Sequence, residues 1–222
     1  MEKKLSPKEK EIPKPQSNFF SRFSGVSNRV FGITKFVLGI CALPFVYTGS
    51  VAFLREFALI EKTLQHYFWA GVITTVITYL FIWEPTPIYV KGHKLVELLF
   101  SFLKPLLGVA PYVLPIYTII IFVLYLFISS LFQLSVNYFI FLAGLTVTLH
   151  LILSAKTIRS KKEDYLKANY IFGFSLVYII NLGILSFFLS VIFEKFSFVN
   201  FCNSSFQIAS GIFNVVFKQL FL

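Results

Sequence analysis

"NYIFGFSLVYIINLGILSFFLSVIF" (residues 169–193) runs from end to end without a charged side chain. A surface helix of a water-soluble domain carries one polar face, whereas a helix crossing hydrocarbon needs about 20 predominantly apolar residues. This stretch exceeds that length and can cross with some tilt. Inside lipid, backbone N–H and C=O groups find no water, so a spanning segment of this kind must be helical.

Four further stretches read the same way. They are "FVLGICALPFVYTGSVAFL" (36–54), "YFWAGVITTVITYLFIW" (67–83), "YVLPIYTIIIFVLYLFISSLF" (112–132) and "YFIFLAGLTVTLHLILSA" (138–155). Pro44 lies inside the first as an expected kink, which a helix bundle tolerates. The expected fold is therefore all-α, a polytopic transmembrane bundle of about five spans with interfacial amphipathic helices. No internal repeat and no inverted pair of spans is visible.

Composition agrees. Of 222 residues, 57% are hydrophobic and 14% charged, against about 25% charged in an ordinary soluble domain. Phe occurs 29 times and Tyr 11 times; aromatic rings pack against acyl chains, and Tyr and Trp favour the headgroup boundary. The net charge of +10 does not point to nucleic acid, because the Lys and Arg residues sit in short segments between apolar runs. With the N-terminus inside, segments 1–35, 84–111 and 156–168 hold sixteen of the 20 Lys and Arg. That positive-inside bias predicts a cytoplasmic N-terminus, with a bacterial inner membrane as the default setting.

Three regions follow. Residues 1–35 form a basic cytoplasmic segment, disordered over 1–18 for want of anything to bury and surface-lying over 19–35; no cleavable leader is expected there. Residues 36–193 form the bundle. Residues 194–222 form an amphipathic tail, with Phe206, Ala209, Phe213, Val216 and Leu220 near one face. The tail is expected at the membrane surface, with a sixth span as the alternative. "REFALIEKTLQH" (55–66) is expected to lie on the outer surface. Cys41 and Cys202 have no close Cys or His partner in sequence and read as free apolar thiols.

The chemically distinctive segment is "WEPTPIYVKGHKLVELLF" (83–100). Pro85 and Pro87 break the preceding helix, Glu84 ends it in the headgroups, and a new helix starts near His93. His93 and Glu97 are four residues apart and share a face, a geometry suited to two metal ligands. The segment resembles the zinc-motif helix of site-2-protease-like intramembrane metallopeptidases, in which H-E-x-x-H supplies two ligands and a general base. On that resemblance His93 stands at the first zinc ligand, Lys94 at the general base and Glu97 at the second His. An ammonium at Lys94 cannot take a proton from a zinc-bound water and would repel the metal. The resemblance thus implies a non-catalytic relative with no catalytic residue and no cofactor. It would be an interaction or scaffold component whose partners are the lipid bilayer and other membrane proteins or itself. The enzymatic alternative is a zinc protease with an unusual site built on His93, Glu97 and His150.

Ionisable or polar groups at bilayer depth are functional candidates in their own right. His150, beside Thr146 and Thr148, and Asn181, in the middle of the fifth span, are expected to bond across helices. A small transporter or channel using these two residues is the further alternative. Gly173, Gly183 and Ser186 are the expected points of close helix approach.

Overall fold

The computed structural model describes residues 17–82, 113–131, 135–159 and 168–221. Within them the chain forms six α-helices: α1 (Ser17–Phe57), α2 (Lys62–Ile77), α3 (Ile116–Leu131), α4 (Val136–Arg159), α5 (Ala168–Ile192) and α6 (Phe198–Phe221). A π-helical turn, Thr78–Ile82, extends α2. Three helical stretches are long and apolar enough to cross a membrane: Val30–Phe57, Val136–Arg159 and Tyr170–Ile192. Ile116–Ser129 is a shorter apolar stretch. The outer surface suits lipid, with Phe81 81% and Phe127 69% exposed. Exposed apolar surface on this scale marks contact with a membrane or partner.

The segment at 19–35 is not separate from the first span. One continuous helix of 41 residues covers both, because no proline interrupts residues 17–43 and Pro44 is absorbed inside the helix. The stretch at 55–66 is likewise no independent surface helix. α1 runs through Phe57, a tight turn follows, and α2 starts at Lys62. Gln65 closes that turn by donating through Nε2 to the carbonyls of Ile60 (2.7 Å) and Ala58 (3.3 Å).

Although a short turn joins them, α1 and α2 take different neighbours. α1 lies on α5 and α6, while α2 lies on α4. α1 and α5 run parallel, since Gly39 meets Ile171 and Phe172 while Gly49 meets Leu182. α4 is antiparallel to α3, with Thr118 against Thr146 and Phe122 against Phe139. The densest apolar packing gathers where the α1–α2 and α5–α6 turns meet. There Phe53 contacts the rings of Phe57, Phe68 and Phe196, at centroid separations of 5.4 to 6.4 Å.

α6 is seated lengthwise on α1, from Phe196 beside Phe53 to Phe213 beside Phe45 (centroids 5.6 Å). Its inner side is marked by Phe201 and Ala209, both buried. Phe206, Val216 and Leu220, placed on that side by the sequence pattern, are exposed. Hydrophobic periodicity identifies the side of a helix that avoids water, and in lipid that side need not be the packed one.

Candidate functional site

His93, Lys94, Glu97 and Glu84, the residues singled out in the 83–100 stretch, lie outside the described residues. Among the described residues, no three His, Cys, Asp or Glu side chains gather as a metal site. Cys41 and Cys202 are free thiols on exposed positions. His150 is buried on α4, and its Nε2 lies 3.3 Å from Ser154 Oγ, one turn along the same helix.

Among the described residues, the polar side chains that join helices include several hydroxyls, the Asn181 amide and the Glu56 carboxylate. Thr146 gives its single proton to the Leu142 carbonyl at 2.8 Å, so in the 3.0 Å contact with Thr118 it is Thr118 that donates. Thr75 on α2 lies 3.0 Å from both its own Gly71 carbonyl and the Leu145 carbonyl of α4. Ser50 donates to Val46 at 2.7 Å. The 2.8 Å contact between Ser50 and Tyr178 is therefore a tyrosine hydroxyl donating from α5 to α1. Each such bond replaces a backbone or side-chain group that lipid could not satisfy.

Asn181 is 1% exposed, near the midpoint of α5. Its Nδ2 donates to the Val177 carbonyl (2.7 Å) and the Val113 carbonyl (2.9 Å), tying α5 to the residues just before α3. Two carbonyl partners fix which end of the amide is nitrogen. The other end, Oδ1, is buried without a hydrogen-bond partner, and so is Ser186 Oγ. Native interiors leave few such atoms, and each calls for an account.

A cleft of about 310 Å³ lies between α1, α2, α4 and α5, where α1 and α2 diverge from their shared turn. Its walls include Phe53, Trp69, Val72, Leu151 and Leu185, and its polar lining is Ser50, Thr148, Tyr178 and Asn181. Leu54 and Trp69 are each nearly half exposed, which places the mouth of the cleft on the lipid-facing side between α1 and α2.

Sequence reasoning does not single out Glu56. It is 8% exposed in the last turn of α1, and its Oε2 accepts from the Ser197 N–H at 3.1 Å. Ser197 in turn caps α6, its Oγ accepting from the Asn200 N–H. A carboxylate at a helix N-terminus meets both free N–H groups and the positive end of the helix dipole. The signal lay in an acid placed between Phe53 and Phe57, which belongs to a helix end rather than to a surface segment. Comparison with known protein families, with curated proteins and with solved structures gives no match.

Proposed function

We propose that this chain is a non-catalytic integral membrane protein acting as an interaction or scaffold component. Its N-terminus is cytoplasmic, α1 to α5 are its spans, and a bacterial inner membrane holds it. The observation that carries this reading is how the buried and partly buried polar side chains are used. Thr75, Thr118, Tyr178 and Asn181 each bond a neighbouring helix or the segment leading into one, which builds a stable bundle rather than a reactive centre. The apolar outer surface, with Phe81 and Phe127 projecting from it, offers area for lipid and for partner helices. In the metallopeptidase-like segment the cation at Lys94 stands where water activation needs a base, which supports a binding role for that helix.

Metal analysis of the protein purified in detergent tests this. The expected result is zinc well below one equivalent, unchanged by His93→Ala. Stoichiometric zinc that disappears in His93→Ala, together with cleavage of a membrane peptide, would replace this reading with the protease.

A further inference from the structure

One side of α6 is polar along most of its length. Asn200, Asn203, Gln207, Ser210 and Asn214 follow one another in alternating steps of three and four residues, and all are exposed. The buried residues of α6, Phe201 and Ala209, lie on the opposite side. Alternating steps of three and four keep a seam in line at 3.5 residues per turn, the period of two helices wound left-handedly round each other. Phe217 and Phe221 continue the same register to the end of α6 and are exposed as well.

The setting makes an uncovered seam costly. From Phe196 beside Phe53 to Phe213 beside Phe45, α6 follows part of the apolar stretch Val30–Phe57 of α1. A helix held there lies at hydrocarbon depth, where an amide finds neither water nor a partner in lipid. Whatever covers the seam must offer donors and acceptors at the same spacing. A carboxamide carries both, so an identical seam is its own complement. Two copies with the same topology in one membrane are related by a two-fold axis along its normal. That axis sets their α6 helices parallel and brings each seam residue opposite its counterpart. Amides at such positions also specify register. A crossing α6 brings Lys218, in its last turn, out beside the basic N-terminal segment, in keeping with the positive-inside bias.

We propose that α6 crosses the membrane beside α1 and that two copies of this chain pair through its amide seam, parallel and in register. The inference goes beyond the scaffold reading, adding one span to its five, and does not depend on it.

Disulfide trapping tests this in the full-length protein, purified and placed in phosphatidylcholine vesicles with Cys41 and Cys202 replaced by serine. Ser210→Cys puts a thiol on the seam, and Val215→Cys puts one on the exposed surface beside it. Oxidation should give covalent dimer from Ser210→Cys at about tenfold the rate from Val215→Cys or more, because a disulfide needs Cβ atoms about 4 Å apart. Diluting the protein with lipid measures the strength of pairing. Gln207→Leu should lower the lipid-to-protein ratio at which trapping is halved by about threefold, the usual contribution of one polar contact between membrane helices. Leucine at Asn203, Gln207 and Asn214 together should lower it roughly 20- to 30-fold if the contacts add. Gln207→Asn, which keeps an amide, should lose less than Gln207→Leu. The substituted positions are exposed, and helical circular dichroism establishes that each variant is folded. Equal trapping from Ser210→Cys and Val215→Cys would mean random collision and overturn the proposal. Trapping indifferent to the three leucines would overturn it too. So would a protein that stays monomeric: with Ser210→Cys open to a membrane-impermeant maleimide, the amides face water, and with it closed, another surface covers them.

Discussion

Gly71 of α2 and Gly144 of α4 lie at a helix crossing that leaves no room for a β-carbon on either side. A Cβ built on Gly71 would lie 2.1 Å from the Phe141 carbonyl oxygen, and one built on Gly144 would lie 2.3 Å from the Phe68 carbonyl oxygen. These neighbours are backbone atoms and cannot turn aside. Close approach allows dispersion contact along the crossing, and it brings Thr75 within reach of the Leu145 carbonyl. Gly71→Ala or Gly144→Ala should therefore separate the helices and destabilise the bundle by roughly 1–3 kcal/mol. Gly183, where a Cβ would meet nothing within 4 Å, provides the control. Gly183→Ala should be neutral or stabilising, by at most about 1 kcal/mol. Unfolding of each variant in mixed micelles makes the comparison, and equal effects at Gly71 and Gly183 would contradict the crossing.

The bond from the Ser197 N–H to Glu56 predicts an order among substitutions. Glu56→Ala removes the acceptor and leaves a helix-terminal N–H in a partly buried position, at a cost of about 1–2 kcal/mol. Glu56→Gln keeps an acceptor oxygen and loses the charge that favours the α6 N-terminus, so it should fall between wild type and Glu56→Ala. Amide hydrogen exchange at Ser197 and in the first turn of α6 checks the location of the effect. Unchanged protection there in Glu56→Ala would exclude this bond as the latch.

The helical membrane class was legible because it depends on summed transfer energy. The uncharged run at 169–193 coincides with α5 (Ala168–Ile192) to within one residue. Contacts between helices were less legible, since in lipid an outward face can be as apolar as an inward one. Phe206 is apolar and faces out, whereas the small Ala209 faces α1. Gly183, expected at a close approach, meets nothing, and Gly173 makes only ordinary contact with Ile158 at 3.6 Å, whereas Gly71 and Gly144 carry a crossing. Which glycine does so depends on where a second helix passes, and a single sequence does not contain that. Asn181 was conspicuous as an amide at bilayer depth. Its Val113 partner and its unbonded oxygen depend on three-dimensional placement and could not be read from the chain.

Proton bookkeeping makes the Thr118–Thr146 contact asymmetric. Thr146→Val removes the oxygen that accepts from Thr118, leaving a buried hydroxyl proton to find another partner. Thr118→Val removes a donor, while Thr146 keeps its bond to the Leu142 carbonyl. Thr146→Val should therefore destabilise more than Thr118→Val. The coupling between the two in a double-mutant cycle should be about 0.6 kcal/mol and no more than about 1.7 kcal/mol. A reversed order would mean that the hydroxyl directions are opposite to those assigned.

The course of α6 along α1 predicts where the chain ends. α6 has 24 residues, about 36 Å at 1.5 Å per residue, enough to traverse a hydrocarbon core of about 30 Å. It runs antiparallel to α1, departing from the Phe53 end and passing Phe45. A crossing here, a sixth span beyond the five of the scaffold reading, would therefore bring its last residues out on the side from which α1 enters. The five-span reading leaves them at the opposite surface. Along its exposed face Asn203, Gln207 and Asn214 recur at helical spacing. A crossing α6 must cover these amides with another surface, whereas a helix lying in the interface would turn them to water. A single cysteine added after Leu222 separates the two states when Cys41 and Cys202 are both replaced by serine. Reaction with a membrane-impermeant maleimide only after the vesicles are opened on the N-terminal side would place α6 across the bilayer. Reaction from the side of the α1–α2 turn would instead mean that α6 leaves α1 in a real membrane and lies flat, and the Phe45–Phe213 contact would then not survive there.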